Sequence, residues 1–407
     1  MNSKERHELR YQRRKEKRDK NFKLKFNICM DWDNIFSLSK LVKSYRMCKK
    51  GVSWKASVQS FEINLFSNIL YLVDTLYNET WKSKGFHEFT ISERGKLRNI
   101  KSVDISERCI LKSLCKNSIV PLFSNSLIYD NGATIKGKGT DFHINRFKHH
   151  LREHYKKYGR KGGVLLFDFT NFFGNINNSK LITMTRCKIL NDKIYRLYKK
   201  LIFAFGNTGL GLGSEICQIS AIYYPNRFDH FIKEILRINC YGRYSDDGYI
   251  IHEDVNYLKS LIPILKNYLS KLDIILNEKK TKIVKLNNVI TFLKKRFSVS
   301  KNGKITCRIG RKMITSERSR IKKMYELYES NKIELLEICK QFHSWLMSIM
   351  QYQSHSVRMN MIDYFNNIFS FYGVIFRKSI YHKRKKKCFK KAFIVTRTDV
   401  ILYPKYC

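Results

Sequence analysis

Across residues 55–80 (KASVQSFEINLFSNILYLVDTLYNET) large apolar side chains recur every three or four positions, a period that predicts helix. The pattern changes in FHEFTISERGKLRNIKSV, where Phe86, Phe89 and Ile91, then Leu97 and Ile100, flank Gly95; this predicts a hairpin. A helix is expected from about Ser106 to Asn117. Val164 to Asp168 is a short apolar run ending in an acid, the pattern of a strand covered on both faces. Ile219 to Leu236 and Leu258 to Leu272 read as helices. Tyr244 to His252 reads as a hairpin turning at two aspartates, and Val289 to Phe297 as another strand or hairpin. From Glu317 to about Phe371 the period is helical throughout. Mixed elements first and helices last predict an α+β chain.

Charge narrows the class of partner. The 407 residues include 79 Lys and Arg against 34 Asp and Glu, a formal net charge of +45. A surplus of that size repels itself unless a polyanion neutralises it, which favours nucleic acid and disfavours a small-molecule metabolic enzyme. At 43% hydrophobic the chain is expected to fold rather than stay disordered. No apolar run reaches the length of a spanning helix, and no apolar segment follows the basic N-terminus to make a secretory signal. The 11 cysteines are scattered without CxxC pairs, so they read as reduced thiols and not as zinc ligands. A cytoplasmic protein with no membrane association is expected. The extreme charge lies at the two ends. Residues 4–25 are either a solvated tail or helix face, or a nucleic-acid arm. Arg377 to Lys391 contain HKRKKK, and the following KAFIVTRTDVILYP reads as a final strand that would fix the basic run to a folded surface.

Three stretches carry candidate chemistry. In YGRYSDDGYIIHED, Asp246 and Asp247 sit between apolar strand formers, where two adjacent carboxylates raise each other's pKa unless a cation is beside them. Adjacent acids in an exposed turn have the same spelling; the apolar flanks argue for a buried hairpin, where unpaired charge is costly. In GGVLLFDFTNFFGNI, Asp168 closes an apolar strand, either as the N-cap of a following helix or as a third carboxylate beside the pair. Three carboxylates on two neighbouring strands suit hard cations such as Mg²⁺, and two such ions about 3.5–4 Å apart support in-line displacement at phosphorus. In GNTGLGLGSEICQ, Gly209, Gly211 and Gly213 form either a plain turn or a loop where backbone approaches a ligand, ahead of a helix starting near Ser214.

With these stretches in this order the sequence resembles the reverse transcriptases. YSDD (Tyr244 to Asp247) is similar to the family's YxDD box, and FDFTNFF to its first acidic motif. GLGLGSEICQ is similar to the glycine-loop motif of the bacterial branch, with Gly211 in place of the customary proline and Cys217 in place of the customary serine. KLRNIKSVDISERCI and YDNGATIKGKGTDF resemble fingers segments, LDIILNEKKTKI the motif with Lys-Thr after the acid pair, and FLKKRF the primer-grip hairpin. The likeness runs from about residue 40 to 350. It implies a right-hand polymerase fold with fingers, a ferredoxin-like palm and a helical thumb. The divisions expected are a basic tail (1–25), N-terminal helices and fingers (26–163), palm (164–297), thumb (298–375) and a basic extension (376–407). It also implies that Asp168, Asp246 and Asp247, with the backbone carbonyl of Phe169, hold two Mg²⁺ ions. Lys96, Arg98 and Arg108 would contact the triphosphate. Phe173 would crowd a ribose 2′-OH, so that dNTPs are used, unless Phe172 takes that place and Phe173 packs in the core. Gln218 and Gly213 would lie near the templating pair and the nucleotide. Lys280 would be a general acid toward the departing pyrophosphate or one more phosphate contact.

The DNGA…GKGTDF and RFDHFIK stretches resemble the bacterial unknown-group, defence-associated reverse transcriptases. That resemblance implies a structured noncoding RNA as template and partner, DNA as product, and protection against phage. A template-independent or protein-primed DNA polymerase, using one of the 24 tyrosines, is the alternative within the enzyme class. A non-catalytic RNA-binding scaffold is the alternative outside it.

Overall fold

The computed structural model describes residues 3–93 and 96–369. The basic run of Arg377 to Lys391 and the final strand expected after it lie outside the described residues. The chain divides into two compact units: Met1–His154 with Gly162–Ile283, and Tyr155–Lys161 with Val284 onward.

The first unit opens on helices α1 (Ser3–Met30), α2 (Trp32–Phe36), α3 (Leu38–Cys48), α4 (Ala56–Ile63) and α5 (Leu65–Tyr77). Residues 4–25 are thus part of one long helix. Its first five turns hold only Leu9 and Tyr11 among polar and charged residues, too few to set a hydrophobic period. The next pair, β1 (His87–Glu93) and β2 (Lys96–Ser102), forms the expected antiparallel hairpin. Asp104 caps α6 (Ile105–Leu114) by accepting from the Ser106 amide, and a π turn at Cys115–Ile119 leads into α7 (Val120–Ser124).

The site-bearing part follows: α8 (Thr140–Tyr158), β3 (Gly163–Phe167), α9 (Asn178–Thr185), α10 (Asp192–Phe203), α11 (Glu215–Tyr223), α12 (Asn226–His230), β4 (Tyr241–Tyr244), β5 (Asp247–His252), α13 (Val255–Ser270) and β6 (Lys282–Lys285). The helix expected over residues 219–236 is in fact broken. Pro225, which lacks an amide to continue α11, separates it from α12, and the remainder is a π turn at Phe231–Ile235. One sheet has the order β4-β5-β3-β6. All five residues of β3 are buried, which explains the unbroken apolar run. Its core joins Leu165 and Phe167 to Phe169, Phe228, Tyr241 and Ile250.

The second unit holds the meander β7 (Ile290–Phe292), β8 (Lys295–Val299) and β9 (Ile305–Ile309), then α14 (Arg311–Glu329), α15 (Leu335–Ile349) and α16 (His355–Phe369). The helices close on Ile321, Ile338, Phe342, Met361 and Phe365, with Phe342 and Phe365 stacked at 4.3 Å. Among the described residues no helix is long and apolar enough to cross a membrane.

Candidate active site

Two antiparallel registers gather the acids. Phe167 of β3 pairs with Gly248 of β5, and Tyr244 of β4 pairs with Asp247, so Asp168 leaves its strand beside the carboxylate pair. The tight turn is Ser245–Asp246, one residue earlier than the sequence suggests, and Asp247 already belongs to β5. Ser245 adopts a left-handed φ of +57° to make it. Main-chain bonds then fix the junction. The Phe169 amide donates to the Asp246 carbonyl at 3.2 Å, Asn277 donates to the Asp168 carbonyl at 2.8 Å, and Thr170 donates to Ile275 at 2.8 Å. Gly248 is required here, since a Cβ would meet the Phe167 ring at 2.2 Å.

Asp168 is buried, and Asp246 and Asp247 are half-buried. Burial, followed by the charges of Asp246 and Asp168, pushes Asp247 up to about 7. Asp246 is also raised, first by burial and then by Asp168. Asp168 is no helix cap. Its Oδ2 accepts from Lys280 Nζ at 2.8 Å and from Asn277 Nδ2 at 3.4 Å. The bond from Lys280 raises that lysine's own pKa. Among the described residues no group of three or more His, Cys, Asp or Glu side chains is already placed to hold a metal ion. The donor chemistry nonetheless fits a hard divalent cation: three carboxylates crowded at cost to one another, with an ammonium already drawn to one of them.

A stability prediction follows from the crowding. Asp247→Asn keeps the shape and removes one of the repelling charges, so in EDTA at about pH 8 the variant should be more stable by roughly 1–3 kcal/mol in a thermal melt. A carboxyl raised from 3.8 to about 7 on folding favours the fold at low pH and loses that advantage as pH climbs through about 7. The gain should therefore shrink toward about pH 4. A pH-independent gain, or a loss, contradicts the crowding.

What holds the turn was not foreseen. Arg243 of β4 and Asp229 of α12 are both 0% exposed and form a forked ion pair, Nε to Oδ1 at 2.8 Å and Nη2 to Oδ2 at 2.6 Å. Nη2 also donates to the Ile222 carbonyl at 2.9 Å, and Nη1 donates to the Ser245 carbonyl at 2.7 Å. Tyr241 adds its hydroxyl to Asp229 at 2.6 Å. One guanidinium thus ties α11, α12 and the residue immediately before Asp246. The available signal was an arginine inside YGRY, a stretch otherwise fit for a buried strand. Behind β5, the Tyr249 hydroxyl lies 2.9 Å from His150 Nδ1. Asp130 is held by Arg146 at 2.6 Å and Lys233 at 2.9 Å. Burial lowers His150 to about 4, so at neutral pH its ring is uncharged.

The other predicted residues are distributed around this centre. Phe172 is buried, while Phe173 is only half-buried. The Phe173 carbonyl accepts from Leu210 of the glycine loop at 2.8 Å. Asn178 bonds the same loop through the carbonyls of Gly206 and Gly209. Gly211 stands where a Cβ would strike the Phe205 ring at 2.2 Å, a local reason for glycine at that position. Gly213 has φ +100° and lies against Ile100 of β2. Gln218 is exposed on α11, and Cys217 is buried with its thiol pushed up to about 12 by desolvation. Lys96 and Arg98 are two positions apart on β2, and Arg98 is exposed. Arg108 is not on the hairpin; it belongs to α6 and donates to Ser102 Oγ at the end of β2, 3.2 Å away.

Residues 84–322, more than half of the chain, match the family described as reverse transcriptase (RNA-dependent DNA polymerase). No curated protein matches. Solved structures that match include the apo telomerase of Candida tropicalis, at 13% identity and TM-score 0.43 over 55% of this chain and 48% of that one. A second is the telomerase of Candida albicans with a TWJ fragment of telomeric RNA, at 12% identity and TM-score 0.44 over 70% of this chain and 55% of that one. A C. tropicalis telomerase truncated from its C-terminal domain matches at 15% identity and TM-score 0.43, over 55% of this chain and 54% of that one. The chain spans about half the length of these structures.

Proposed function

Because the chain belongs to the reverse transcriptase family, with its α+β right-hand polymerase fold, we propose that it copies RNA into DNA, adding dNTPs to a 3′-OH by nucleotidyl transfer. The observation that carries this reading is the convergence of Asp168 with Asp246 and Asp247 through the β3–β5 register. In this reading residues 26–163 supply the fingers, 164–297 the palm and 298–375 the thumb.

Asp168, Asp246, Asp247 and the Phe169 carbonyl would hold two Mg²⁺ ions. When bound, the ions supply charge neutralisation at the phosphates and a more acidic primer hydroxyl. The protein's own groups do the rest. The Arg243 fork fixes the Ser245 carbonyl, and through it the direction of the acid pair. Lys96, Arg98 and Arg108 offer charge-assisted hydrogen bonds to the triphosphate. The half-buried Phe173, whose carbonyl accepts from the glycine loop, would exclude a ribose 2′-OH with its ring, and Gln218 and Gly213 would border the nucleotide. Lys280, exposed and bonded to Asp168, would give a proton to the departing pyrophosphate or serve as one more phosphate contact.

The template would be a structured noncoding RNA kept bound by a chain of charge +45. The biological role would be cytoplasmic anti-phage defence, supported by the resemblance of DNGA…GKGTDF and RFDHFIK to defence-associated members. The test is to purify the chain, supply labelled dNTPs, and sequence the RNA and DNA that accompany it. One defined RNA with complementary labelled DNA is the expected result. DNA with no complementary RNA, or DNA left attached to protein after nuclease treatment of the RNA, contradicts templated synthesis on such a partner.

A further inference from the structure

We propose that α1 and a lysine-lined cavity at its root form a docking surface for an RNA stem, separate from the aspartate site; the idea rests on the reading that this chain carries an RNA partner.

The first observation is that α1 has a cationic side. At 100° per residue, Arg10, Arg13, Arg14, Lys17, Arg18 and Lys25 fall within an arc of about 140°. The helix's four acids, Glu5, Glu8, Glu16 and Asp19, occupy a separate arc of about 80°. Lys15, Lys20 and Lys23 lie outside the cationic arc, which itself contains no acid. The six cations and four acids of the two arcs are all exposed. Like charges four apart, such as Arg10 with Arg14 and Arg14 with Arg18, each weaken a free helix by roughly 0.2–0.5 kcal/mol. A line of phosphates along the cationic arc reverses that sign, and the acidic arc keeps the helix from binding on every side.

The second observation is the cavity, about 700 Å³, where the same arc ends. Lys25, Lys40, Lys116 and Lys188 line it, and no carboxylate does. None of the four has an ion pair among the described residues; Lys116 Nζ donates only to Met47 Sδ. Asn117, Asn125 and the Phe26 ring offer amide and stacking contacts on the same wall. Four ammonium groups around one concavity repel one another until an anion enters, and the volume accommodates a nucleotide with its phosphate.

A lipid surface is the competing polyanion. An interfacial helix needs an apolar face set opposite its cations. Of the exposed apolar residues of α1, Leu24 and Ile28 lie inside the cationic arc, Leu9 lies within about 40° of its edge, and Tyr11 stands apart from all three. The chemistry therefore favours RNA phosphate.

Two variants test the proposal against a fluorescein-labelled RNA hairpin over a salt series. The first carries Lys25→Gln, Lys40→Gln, Lys116→Gln and Lys188→Gln. The second carries Arg10→Gln, Arg14→Gln and Lys17→Gln, all on the exposed helix, where folding is not at risk. Each should flatten the line of log affinity against log salt by roughly 0.9 for every phosphate no longer neutralised. Both should keep dTTP incorporation on poly(rA)·oligo(dT) within about twofold, since the aspartates are untouched. Unchanged salt slopes in both variants overturn the proposal, as does loss of binding to anionic vesicles with RNA binding intact. If wild-type chain carries RNA and the variants carry as much, only the docking surface is wrong. If wild-type chain carries none, the RNA-partner reading falls with it.

Discussion

Asp246→Ala should reduce dNTP incorporation by roughly a thousandfold or more while leaving RNA binding nearly unchanged. The size follows from position. Asp246 sits at the apex of the Ser245–Asp246 turn, its carbonyl bonded to the Phe169 amide, and its carboxylate raised by burial and by Asp168. Alanine leaves the main-chain bond in place and removes one crowded charge, so the fold should be at least as stable as before. What disappears is a third of the negative charge that could balance cations at the reacting phosphate. Primer extension with labelled dTTP measures the first effect, and filter binding of RNA the second. Synthesis at the wild-type rate would remove Asp246 from the active centre.

The second large effect is at the buried fork. Asp229→Asn leaves the guanidinium of Arg243 fully enclosed without its counter-charge, at a cost of about 3–5 kcal/mol. In a unit of this size that lowers the melting temperature by roughly 10 °C. The double variant Asp229→Leu with Arg243→Met replaces the pair by apolar groups and should recover most of the lost stability. It should not recover synthesis. The Ser245 carbonyl would have lost its 2.7 Å donor, and a turn free to shift by a fraction of an ångström should run about 10–100-fold slower. A stable double variant with full activity would reduce the pair to a plain structural element.

These two sites also mark how far the sequence could be read. The convergence of the aspartates was legible because Asp168 ends an unbroken apolar run and Asp246 and Asp247 sit between apolar strand formers; the order of the motifs favoured neighbouring buried strands over an N-cap and an exposed turn. The β1–β2 hairpin was legible from its alternation around Gly95. Arg243 and Asp229 were not, because a charged residue in isolation reads as surface, and only the register of β4 against β5 together with the placement of α12 shows each enclosing the other. The length of α1 was hidden for a related cause: a helix without an apolar stripe leaves no period to detect. Pro225 is plain in the sequence, but helical spacing on both sides of it masks the break that its missing amide makes between α11 and α12. Gly211 shows the limit of motif comparison, since its cause is the Phe205 ring six positions earlier, which no motif spells out.

The Arg243–Asp229 fork also constrains the order in which the chain can assemble. A β4–β5 hairpin closing before α12 arrives would trap an unmatched cation in its interior, and α12 docking first would trap an unmatched anion. Burying either charge without the other is costly, which favours hairpin and helix docking together. The acid pair at the hairpin tip is therefore oriented by the same docking step that encloses the ion pair.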